Sequence, residues 1–102
     1  MTPEQYADKN TALMNGVSAL FLADGTDCKK LAGDIDRFMK DHDSDMQHVV
    51  AYEQSHPKEK AAYDESTGNR LLDDFTEKAK PGLTACMDDP TFKAAWERFT
   101  KG

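Results

Sequence analysis

The chain carries two cysteines, Cys28 and Cys86, with Pro57 midway between them. Apolar residues at Leu31, Ile35, Phe38, Met39, Met46, Val49 and Val50 recur in steps of three and four, with Cys28 opening the stripe and His42 filling its one gap. That is the period of an amphipathic helix. Leu72, Phe75, Ala79, Leu83 and Cys86 repeat it. Ser55-His56-Pro57 lies between the two runs. Proline disfavours helical geometry in the residue before it and suits the first position of a new helix. One helix is therefore expected to end near Ser55 and another to begin at Pro57, with Glu59 closing a capping box on His56.

Two antiparallel helices joined there pair residues whose numbers sum to about 114. Cys28 and Cys86 satisfy that sum, Ile35 falls opposite Ala79, and His42 falls opposite Leu72. The cysteines lie on the inner stripe of both helices, so a Cys28–Cys86 disulfide is expected at the open end of a helical hairpin. In the chain-entropy account a loop of this length stabilises by about 4 kcal/mol.

The remaining helices follow from their caps. Thr2, Pro3, Glu4 and Gln5 form a helix start with a capping-box partner. Tyr6, Leu13, Val17, Leu20 and Phe21 then share a face that Asn10 interrupts, and Asp24-Gly25 closes the helix. Thr26 or Asp27 caps the next. The stretch Lys40 to Asp45 is rich in residues that compete for backbone hydrogen bonds, yet the apolar phase crosses it, so a continuous helix with a weak middle is expected. Gly68-Asn69 is a candidate break and Pro81-Gly82 a candidate kink. Asp89-Pro90 starts a short last helix that holds Phe92, Ala95, Trp96 and Phe99, with Trp96 expected as a core plug at the clamped end. The architecture so read is all-α: an up-down-up-down four-helix bundle with a long central helical hairpin and a short C-terminal helix.

Length fits a single domain over residues 1–102. A formal charge of −6 disfavours nucleic acid and anionic membranes as partners, and no apolar segment is long enough to span a bilayer. Two cysteines placed to pair point to an oxidising compartment, periplasmic or secreted. Met1-Thr2-Pro3 has neither the charged nor the apolar region of an export leader, so a native leader is expected to have been replaced by Met1.

Three placements bear on function. The first helix is expected to stop short of the hairpin tip, which overhangs by about 10 Å. Val49, Val50, Tyr52, Ala61, Ala62 and Tyr63 lie there and make an apolar partner-binding surface. Met39, His42 and Met46 share a face and could hold Cu(I). Asp41, Asp45 and His48 share another and could hold Zn²⁺ with Asn69 or Asp73. Glycine-rich phosphate loops, nucleophile elbows, paired-cysteine redox motifs and haem-attachment spacing are all absent, so neither catalysis nor a resident cofactor is expected.

With Cys28, Ala85-Cys86, Asp89-Pro90 and Trp96 in view, the chain resembles uncharacterised secreted or lipoprotein-type helical bundles of Gram-negative bacteria. These have two cysteines bracketing a helical hairpin, and a short closing helix. The resemblance implies a fold and a compartment and carries no activity. The expected function is a non-enzymatic, exported interaction module that binds another protein, or itself, through the hairpin tip or acidic face. The alternative is a small-ligand or metal carrier built around His42 and Met46.

Overall fold

The computed structural model describes residues 1–101 as helices α1 (Pro3–Asp24), α2 (Cys28–Asp41), α3 (Asp43–Ser55), α4 (Pro57–Tyr63), α5 (Asn69–Cys86) and α6 (Pro90–Lys101). A π-helical turn, Asp64–Gly68, joins α4 to α5. No strand occurs among the described residues.

The helix starts are local chemistry. Thr2 accepts from the Gln5 amide at 3.1 Å while the Gln5 side chain accepts from the Thr2 amide at 2.9 Å, so the expected capping box is closed. Gly25, at φ 56°, ends α1 in a conformation that side chains resist. Asp27 caps α2 through the Lys30 amide, and Asp89 caps α6 through the Phe92 amide at 2.9 Å. The His56–Glu59 box does not form. The His56 ring stacks on Tyr52 instead, and α4 begins without a side-chain cap.

The expected continuous helix through residues 40–45 is broken at His42, whose φ of −115° and ψ of 16° lie outside helical geometry. Asp43 and Asp45 fall in the first turn of α3, where carboxylates favour a fresh start. The expected break at Gly68-Asn69 is instead a π turn with helical dihedrals on both sides. Helix α5 runs through Pro81 to Cys86.

Cys28 and Cys86 are joined by a disulfide, with α-carbons 5.3 Å apart. Beyond this clamp the two arms do not zip together as the sequence suggested. The principal interfaces are α1 against α5 and α2 against α6. Helix α1 lies between the arms, and the closing helix covers α2 rather than α5, tied by Arg98 to both carboxylate oxygens of Asp36 at 3.2 and 2.8 Å. Periodicity reports which face of a helix is apolar, and it is silent about which neighbour covers that face.

Two separate cores result. The larger, at the clamped end, gathers Val17, Phe21, Leu31, Ile35, Phe75, Ala79, Cys86, Phe92 and Ala95. The smaller, towards the hairpin turn, is Tyr6, Val49, Tyr52 and Tyr63. The break at His42 lays α3 across the start of α1. Lys9 therefore meets Asp45 at 2.6 Å, and Tyr6 stacks on Tyr52 with ring centroids 4.8 Å apart. The first helix was expected to leave the tip uncovered, but it reaches the tip's tyrosines.

Candidate functional site

Between the two cores the packing fails to close, and a groove of about 390 Å³ remains. Its floor is α1, with Asn10, Leu13, Met14 and Val17. Met46, Val49, Val50 and Glu53 of α3 form one wall, and Leu72 and Phe75 of α5 the other. Phe38 and the aromatic end of α6, Trp96 and Phe99 with Thr100, close the clamped side. The rings there form a ladder. Trp96 stacks on Phe99, Phe75 and Phe92 and meets Phe21 edge-on. Trp96 is thus half-buried at the groove's end rather than a plug sealed in the core. At the lip, Val50 and Leu72 are 43% and 51% exposed, high for residues of their type beside a core.

Polar groups in the groove are few. Thr100 spends its hydroxyl on the Trp96 carbonyl at 3.0 Å. Glu53 accepts from the Tyr6 hydroxyl through Oε2 at 2.7 Å. Burial, then the bond to Glu53, pushes the Tyr6 phenol well above its ordinary range. Asn10, the residue that interrupts the α1 stripe, is the third. The arrangement is an apolar trough with one carboxylate and one amide, and among the described residues no lysine, arginine or histidine lines it. Its volume falls within the range of small-molecule sites.

The residues expected to form a partner-binding tip are placed otherwise. Val49, Tyr52 and Tyr63 are 5%, 5% and 6% exposed, so they are core, and of that set Val50, Ala61 and Ala62 face outwards. Tyr63 shares a hydrogen bond with Thr11 at 2.8 Å, and Tyr6 packs edge-on against it. The tyrosines gave an apolar signal because they zip α1, α3 and α4 together.

The expected metal ligands are dispersed. Met46 lines the groove, Met39 packs against the larger core, and the His42 ring lies tilted against Phe38 beside Asp34, Arg37 and Asp41 on another surface. His48 is exposed in a shallow depression between α1 and α3. The zinc alternative fails as well, because Asp45 is engaged by Lys9, which holds its carboxyl below the ordinary value. No group of three or more histidine, cysteine, aspartate or glutamate side chains capable of holding a metal occurs among the described residues. The helix break at His42 is the cause, since it ends the common face on which the spacing relied.

A buried carboxylate, Asp24, sits at the clamped end with the Lys30 ammonium 3.1 Å from Oδ1. The neighbouring Asp24 carboxylate raises the Asp34 carboxyl above its usual value. The pair braces the α1–α2 turn and does not reach the groove.

Of the groove residues, the sequence singled out Val49 and Val50 for a partner surface and Met46 for a metal, and gave Glu53 no role. Asn10 was the available signal: a polar residue on an apolar stripe marks a place where the stripe is not sealed. No protein family, curated protein or solved structure matches the chain.

Proposed function

We propose that the protein is a non-enzymatic carrier of a small apolar or amphiphilic ligand, held in the groove between α1, α3, α5 and α6. The observation that carries this reading is the gap between the two cores, where an apolar trough stays open next to close-packed clusters. Close packing is the rule in protein interiors, and an unfilled apolar site forfeits contacts that a ligand restores. In the same reading the broken rod of α2 and α3 and the rod of α4 and α5 count as one long helix each. The chain is then an up-down-up-down bundle whose middle has been prised open. The disulfide supports work in an oxidising compartment, periplasmic or extracellular.

Titration with a neutral naphthylamine dye tests the proposal. Binding is expected with Kd below about 100 µM, or about −5.5 kcal/mol. Leu72→Asp and Val50→Asp, both at exposed lip positions, should weaken it at least about tenfold, the effect of charge in an apolar wall, without lowering the unfolding temperature. Absence of dye binding by the wild-type chain would end this reading.

The exposed lip formed by Val50 and Leu72 also favours a second reading, in which the groove receives an apolar side chain of a protein partner or a second copy. Sedimentation at high concentration separates the two. A dimer abolished by Leu72→Asp would support the second reading, and a monomer that binds dye the first.

A further inference from the structure

We propose that the groove selects ligands that carry a protonated amine on an apolar body, and that Glu53 is the residue that recognises the amine. The inference rests on the ligand-carrier reading and adds the chemical class of the ligand.

Three features of the site support it. Among the described residues Glu53 is the only ionisable side chain lining the groove, so these offer a negative charge and no positive one. Its carboxylate is already oriented, because the Tyr6 hydroxyl holds Oε2 at 2.7 Å and leaves Oε1 with no hydrogen-bond partner among the described residues. Lys60 interacts with Glu53 through space, but its ammonium is bonded to Asp64 on its own helical face. An ammonium in the groove would therefore meet a half-buried, pre-positioned and unneutralised acceptor. The Asn10 side chain, which makes no hydrogen bond of its own among the described residues, can accept a second N–H through its carbonyl oxygen. The π faces of Trp96 and Phe99 tolerate a cation where they would disfavour an anion.

A carboxylate or phosphate headgroup meets the opposite situation. It would be desolvated beside Glu53 with no lysine or arginine to receive it, in a chain whose formal charge is already −6. Long-chain acids are thus the wrong class of ligand, although the walls would suit their tails.

The test uses three probes that share one tail: decylamine, decanol and decanoate, each below its aggregation threshold and near neutral pH. Trp96, the sole tryptophan, lines the groove and reports occupancy by fluorescence. Decylamine is expected to bind at least about tenfold more tightly than decanol, in keeping with a charge-assisted hydrogen bond, and decanoate more weakly than either. Glu53→Gln keeps an acceptor for the Tyr6 hydroxyl and removes the charge, so it should bring decylamine to the affinity of decanol while leaving decanol unchanged. Asp88→Asn, an exposed charge at the clamped end, should preserve the preference, which separates recognition by Glu53 from attraction by the whole acidic surface. Equal affinities for amine and alcohol, or an amine preference that survives Glu53→Gln, would overturn the inference and leave the carrier reading standing. Failure of decanol and decylamine alike would overturn both.

Discussion

The Tyr6 hydroxyl donates to Glu53 Oε2 at 2.7 Å, joining the first turns of α1 to the last turns of α3. This single contact fastens the smaller core and fixes the carboxylate at the groove's edge. It also makes the fold sensitive to alkali. The Tyr6 phenol is raised above its ordinary value of 10.0, first by burial and then by Glu53. An acid whose folded pKa is raised gives stability that is complete below the unfolded value and lost as pH rises through the folded one.

Stability should therefore be level from neutral pH to about 10 and fall beyond it. Tyr6→Phe should flatten that alkaline limb. At neutral pH the same substitution should cost about 1.5–3 kcal/mol, the range for a hydrogen bond to a charged group. Denaturant unfolding followed by circular dichroism at a series of pH values measures both effects, and the midpoint should move while the slope stays constant.

Gly82 marks the closest approach of α5 to the end of α1. A β-carbon built there lies 2.9 Å from Phe21 Cδ1 and 3.0 Å from the Gly25 carbonyl oxygen. The backbone oxygen cannot step aside as a flexible side chain would. Gly82→Ala should destabilise by about 1–3 kcal/mol through overpacking, more than the gain of about 1 kcal/mol in helix propensity. Gly33, also in a helix, has nothing within 4 Å of its β position. There Gly33→Ala should stabilise by about 0.5–1 kcal/mol. Opposite signs for one substitution at two helical glycines, read by thermal unfolding, would confirm that packing decides the outcome.

The disulfide closes a loop of sequence separation 58. Replacing both cysteines with serine should lower stability by about 4 kcal/mol if the unfolded chain gains the freedom that the clamp denies it. Cys86 is fully buried among apolar neighbours, so Cys86→Ala with Cys28→Ser avoids burying an extra hydroxyl and isolates the loop contribution. Chemical unfolding of oxidised, reduced and substituted forms measures it.

Much of this fold was legible along the chain. Thr2 with Gln5, Asp27, Asp89-Pro90 and Gly25 mark helix ends because each acts on backbone groups within a few residues of itself. Cys28 and Cys86 could be paired because a hairpin about Pro57 brings both clamped ends to the same height. The misreadings share one cause. Tyr52 and Tyr63 looked like an exposed tip, and Met39, His42 and Met46 like one ligand face, because the helix was carried unbroken through His42 and α1 was assumed to lie short of the tip. A change of direction at one residue moved every contact beyond it.

Legible along the chain alone were the all-helical class, the caps at Thr2, Asp27 and Asp89 and the clamp, since these depend on local backbone chemistry, on a period of three to four residues and on chain symmetry about one proline. Tertiary structure alone decided that α1 lies between the arms, that α6 covers α2, and that two cores form with a groove between them. Those outcomes depend on how side-chain volumes from distant segments fill a shared space, and no window along the chain contains that information. Glu53 acquires its place in the groove only when Tyr6, 47 residues away, comes to hold it.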